Sequence, residues 1–99
     1  MDIKLKNNSV VVTSERNEIL NLDDFPVSEL KEQLRNWLAT VTEINAKCFV
    51  FEPPNANESG VFRIEPRPNG WQFTSSKESV RSSEILPLHE WREVLESVL

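Results

Sequence analysis

Residues 60–76, GVFRIEPRPNGWQFTSS, decide how this chain folds. Phe62 and Ile64 alternate with Arg63 and Glu65, and Trp71 and Phe73 alternate with Gln72 and Thr74. A period of two predicts two half-buried strands. PRPNG turns the chain between them, with Asn69-Gly70 expected to supply the positive φ angles of a tight hairpin. Two readings compete: an aromatic and basic platform for nucleic acid, or the inner face of a sheet covered by helices. A nucleic-acid platform exposes its aromatics on a helix-free face, among basic residues. Here that face carries Arg63, Glu65, Gln72 and Thr74, which is mixed in charge. The formal net charge of −5 and a pI near 4.9 also oppose binding to phosphate backbones. The aromatics are therefore assigned to a core, where each contributes about 1.5–3 kcal/mol by burial. Nucleic acid is not an expected partner.

A core needs something to cover that face. DDFPVSELKEQLRNWLATVTE, residues 23–43, predicts the clearest helix. Val27, Leu30, Leu34, Trp37, Leu38 and Val41 fall on one apolar stripe, with Glu29, Lys31, Glu32 and Arg35 on the solvent side. Pro26 suits the first turn, Asp23, Asp24 and Ser28 lie near the positive end of the dipole, and Phe25 closes over the start. LHEWREVLESVL, residues 88–99, predicts a second amphipathic helix through Leu88, Trp91, Leu95, Val98 and Leu99.

The remaining segments read as strands and loops. Ile3 and Leu5 alternate with lysines, Asn7-Asn8 turns the chain, and Val10, Val11 and Val12 suit a second strand. EILNL, residues 18–22, reads as a third short strand or an extended lead into the helix. KCFVFE, residues 47–52, is nearly all apolar and predicts a central strand. PPNANESG, residues 53–60, and SKESVRSSE, residues 76–84, read as loops. The expected architecture is a single α+β domain over residues 1–99. It has an antiparallel sheet of four to six strands with two helices packed on one face, in the order β-β-(β)-α-β-β-β-α.

Chemistry-bearing constellations are sparse. Cys48 is the only cysteine and His89 the only histidine. Cys48 falls in a predicted core strand and His89 at a helix start, which argues against a nucleophile–base pair. No spacing of Cys and His suggests a metal site, and two glycines cannot build a phosphate loop. No catalytic residue, cofactor or metal is expected. A lone cysteine, the polar start MDIKLKNN and the lack of a long apolar run predict a cytoplasmic protein without membrane contact. Trp37, Trp71 and Trp91 all sit in register with apolar neighbours. Trp91, on the short terminal helix, is the one expected to be partly exposed.

FPVSELKEQLRNWL, followed by GVFRIEPRPNGWQFTSS and a terminal LPLHEW helix, resembles small bacterial immunity-type proteins of polymorphic or contact-dependent toxin systems. The resemblance lies in element order and hydrophobic positions over most of the chain. It implies a non-enzymatic, cytoplasmic protein that binds and neutralises a toxin domain, and the acidic charge balance favours a monomer or small homo-oligomer. A partner with a basic surface would meet acids near the C-terminus. The candidate contacts are Glu78, Glu84, Glu90, Trp91, Glu93 and Glu96, together with the 53–60 loop. The alternative is an accessory or adaptor domain that docks onto a larger complex through a sheet edge.

Overall fold

Two β-meanders flank a long helix. The computed structural model describes residues 1–53 and 60–99, apart from the side chain of Glu78. The first meander is β1 (Asp2–Lys6), β2 (Ser9–Ser14) and β3 (Asn17–Leu22), paired antiparallel in that order. Helix α1 (Val27–Thr40) follows. The second meander is β4 (Phe49–Val50), β5 (Arg63–Arg67), β6 (Gly70–Thr74) and β7 (Arg81–Leu86), again in chain order, with a 3-10 turn at Lys77–Ser79. Helix α2 (Leu88–Glu96) closes the chain.

The α+β class and the succession of strands and helices are those expected from sequence, and EILNL is indeed a strand. Three expectations change. The strands form two sheets, of three and four strands, rather than one. Each meander pairs strands that follow one another in the chain, and no local signal joins one to the other. KCFVFE is not a central strand: only Phe49–Val50 pairs, at the edge of the four-stranded sheet, and Cys48 is exposed. The serine-rich 76–84 segment is half strand, because Arg81–Leu86 pairs with the open edge of β6. Strand formation there follows the edge offered to it rather than intrinsic preference.

The aromatic face is dry. Phe62, Ile64 and Phe73 are fully buried, and Trp71 is 5% exposed. Phe49, Ile64 and Phe73 line up across three strands, one row from Trp71. The α1 stripe lies on this face: Trp37 meets Trp71 edge-on at 5.5 Å and Phe49 at 5.7 Å. Phe25 packs on Phe51 at 5.1 Å. Ile3, Val10, Val12, Leu20 and Leu22 from the other sheet join the same continuous core. Helix α2 bridges the two layers, touching β1 on one side and β6 on the other.

Side chains of α1 also hold the β4 region. The Trp37 indole N–H donates to the Lys47 carbonyl at 2.6 Å. The Gln33 amide exchanges two bonds with the backbone of Glu52, donating to its carbonyl at 2.8 Å and accepting from its N–H at 2.9 Å. A side-chain amide thus takes the place of a neighbouring strand beyond Val50. The helix start uses no side-chain cap: Pro26 occupies the N-cap position, and Ser28 bonds Glu29 instead of a backbone N–H.

Turn chemistry departs from the expected residues. Asn69 does not take a positive φ; Gly70 does, at 145°. A Cβ at Gly70 would lie 2.7 Å from the Leu86 carbonyl oxygen, so close approach of β7 requires glycine there. The two positive φ angles of a tight hairpin occur instead between β2 and β3, at Glu15 (50°) and Arg16 (68°). Neither residue favours that conformation, and the turn is held from outside. The Glu84 carboxylate on β7 accepts the Glu15 N–H at 2.8 Å and the Met1 amine at 2.7 Å. Beside it, the Ser14 and Ser83 hydroxyls lie 3.4 Å apart. This clasp joins the two sheets.

The Met1 amine, and then the Glu15 N–H, hold the Glu84 carboxyl below its ordinary value of 4.5. A lowered folded-state pKa stabilises above the ordinary value, and that stabilisation is lost as pH falls through the lowered one. Glu84→Gln is therefore expected to cost about 1 kcal/mol at pH 7, with the difference vanishing in acid. Urea titrations at a series of pH values from 7 downward into acid measure it. A constant difference across the series would show that the charge plays no part.

Candidate functional site

Six residues near the C-terminus were nominated by sequence, and the structure separates them. Helix α2 starts after Pro87 and buries Leu88, Trp91 and Leu95 on one side. The 3.6-residue repeat then throws Glu90, Glu93 and Glu96 onto the opposite side. All three acids are exposed, and none takes part in an ion pair among the described residues. They form one acidic stripe, three residues apart.

Helix stability does not explain that stripe. Glu90 sits in the first turn, where the dipole favours an anion. Glu96 sits at the other end, where the dipole disfavours one, and no basic residue occupies the last turn. Like charges three apart repel by a few tenths of a kcal/mol. The helix bears this arrangement because its inner side is firmly anchored.

The other three nominated residues do not join the stripe. Trp91 is 0% exposed and donates its indole N–H to the Trp71 carbonyl at 2.9 Å. The expectation of a partly exposed Trp91 is corrected: the indole is sealed in the core and bonded to β6, so it anchors α2 and offers no surface to a partner. Glu84 is committed to the clasp described above. Glu78 lies in the 3-10 turn, and its side chain is outside the described residues, as are residues 54–59 of the loop named as a further contact.

The helix-free face of the four-stranded sheet carries the other concentration of charge. Arg63, Thr74 and Arg81 stand in one cross-strand row, with Glu65 and Gln72 in the next. Glu65 accepts from Arg67 at 2.9 Å and from Thr74 at 3.1 Å. Arg67 also bonds Gln72 at 3.1 Å, and Gln72 donates to the Ser82 carbonyl at 2.7 Å. The Arg67 guanidinium holds the Glu65 carboxyl below its ordinary value. Arg81 was missed by sequence because its strand was read as a loop. No strong local signal marked it, since the first four residues of that strand, Arg81 to Glu84, are all polar.

Cys48 and His89 occupy different elements. Cys48 lines a shallow recess with Gln33, Asn36 and Lys47, whereas His89 is exposed at the start of α2. Partial burial, and then the Glu65 carboxylate, push the Cys48 thiol above its ordinary value. Among the described residues no three His, Cys, Asp or Glu side chains stand together as metal ligands would. No helix among the described residues is long and apolar enough to cross a membrane.

No curated protein and no solved structure matches the chain. The family described as a domain of unknown function (DUF7878) matches residues 7–99, which takes in every element after β1, and the chain belongs to that family.

Proposed function

We propose that this chain is a non-enzymatic protein-binding module of the toxin-immunity type, acting in the cytoplasm through the outer side of α2. The observation that carries the reading is the stripe of Glu90, Glu93 and Glu96, exposed, without ion-pair partners among the described residues, and partly against the helix dipole. Charges that lower the stability of their own helix are explained by a partner that neutralises them. The partner is a toxin domain with a basic surface. Acids on a rigid element steer such a partner and set its orientation, giving an encounter that weakens with salt.

Two further observations support a binding role over chemistry. The Cys48 thiol, raised above its ordinary value, is poorly suited to thiolate attack. His89 faces solvent on the same helix as the acids, with no described partner to orient it as a base. The adaptor alternative requires an open sheet edge. The β4 edge is only two residues long and the Gln33 amide occupies the backbone just beyond it, so such docking would use β1, β3 or β7, the longer edge strands.

Co-expression with the toxin domain encoded beside its gene tests the proposal. The expected result is rescue of growth and a complex that co-elutes. Glu93→Lys with Glu96→Lys should then slow association about tenfold at low salt, and less at high salt. The same double variant should melt no lower than the parent, because lysines suit the last turn of a helix. Unchanged association kinetics, or failure to capture any neighbouring toxin domain, would sink this reading.

A further inference from the structure

The helix-free face of the four-stranded sheet holds a recess of about 310 Å³, at the lower end of ligand-site sizes. Arg63, Arg67, Arg81 and Glu65 line it, together with hydroxyl-bearing residues that include the buried Thr74 and Ser75. Three arginines against one carboxylate make it net positive in a protein whose formal charge is −5.

The arginines are not equivalent. Arg67 is spent: it bonds Glu65, Gln72 and the Pro66 carbonyl. Arg63 is not. Its Nε is buried and makes no hydrogen bond among the described residues, although Glu65 lies 3.5 Å away, within electrostatic reach but poorly placed to accept. Its aliphatic stem lies against Gly60, where an added Cβ would stand 3.5 Å from the Arg63 Cδ. Arg81 is exposed and has no described partner. The register sets Arg63 and Arg81 on either side of Thr74, on one face, two strand spacings apart. Both arginines line the recess, with Thr74 between them in the register.

We propose that this recess binds a phosphate-class oxyanion between Arg63 and Arg81. A buried N–H without an acceptor is unfavourable, and a bound oxyanion supplies the missing acceptor. Guanidinium groups bind tetrahedral oxyanions through paired N–H donors, which a rigid sheet holds at fixed separation. The Arg67–Glu65–Gln72 network serves to position the sheet face, while Glu65 offsets part of the positive charge of the three arginines. The acidic stripe on α2 is not involved, so this site and the proposed toxin contact stand or fall separately.

The full chain, labelled with 15N, tests the site by NMR at pH 7. Inorganic phosphate is added against sodium chloride and sodium acetate at matched ionic strength. Saturable movement of the Arg63 Nε–Hε signal and of the Thr74 and Arg81 amides by phosphate, beyond that caused by acetate, is the expected result. Arg63→Gln and Arg81→Gln should each weaken phosphate binding about tenfold. Arg81 is exposed, so the second variant is expected to fold normally, and its melting point verifies that. AMP is the second ligand. Tighter binding than phosphate at the same signals assigns the site to a nucleotide phosphate, and equal or weaker binding assigns it to the free ion. Movement that does not saturate, that acetate reproduces, or that survives intact in Arg81→Gln overturns the proposal.

Discussion

Replacing Trp91 with alanine lowers stability by about 3–5 kcal/mol, the largest loss expected from any single change to α2. The indole is 0% exposed, beneath the helix and against β6. Its truncation leaves a cavity in a close-packed core that can relax only in part. The loss has a polar part as well, because the indole N–H donates to the Trp71 carbonyl at 2.9 Å. Trp91→Phe isolates that part: it keeps most of the apolar volume and removes the donor, at a cost of about 1–3 kcal/mol. Stabilities of domains this size run to about 5–15 kcal/mol, so the alanine variant stands near the limit of folding. Urea denaturation with an unchanged m-value measures both variants. A loss below about 1 kcal/mol for Trp91→Ala would contradict the burial described here.

Arg92→Ala is expected to cost about 2–3 kcal/mol, although the residue is only half-buried. Its guanidinium donates to the Leu38 and Val41 carbonyls, both at 2.9 Å. These groups lie at the C-terminal end of α1, where helix carbonyls lack intrahelical donors and the dipole is negative. Helix α1 has no basic residue in its own last turn. The cation that neutralises its end comes from α2, which makes Arg92 a joint between the two helices. Arg92→Lys keeps the charge and loses the two-pronged geometry, so it should recover less than half of the loss. Full recovery by lysine would show that charge alone, not the fork, fastens the helices. Binding through the acidic stripe should weaken in Arg92→Ala only as far as α2 loosens, which separates this joint from the proposed contact surface.

Much of this was legible along the chain. The α1 stripe is buried at Val27, Leu30, Leu34, Trp37, Leu38 and Val41, as its spacing predicts. The alternation in residues 60–76 separates buried Phe62, Ile64, Trp71 and Phe73 from the polar Arg63, Glu65 and Gln72 on the other face. Periodicity works here because both faces of each element meet very different surroundings, and a slip of one residue would exchange them. The acids of α2 were legible for the same reason: residues three apart share the side opposite an apolar stripe.

The failures have a common cause. Arg81–Leu86 has no strong strand preference, yet it pairs because β6 presents an unpaired edge. Cys48 was read as interior because its neighbours are apolar, but strand order places that segment at an edge. Trp91 and Glu84 looked available on a short helix and in a polar loop, and each is taken by a residue far along the chain.

Local patterning alone determined which residues are apolar-facing, where the two helices run and which acids line α2, because each depends only on the repeat of a helix or a strand. Tertiary structure decided the division into two sheets, the Glu84 clasp, the Arg92 joint and the pairing of Arg63 with Arg81 across Thr74. Those depend on which strand edges meet, and that is settled by how the whole core closes rather than by any neighbouring residue.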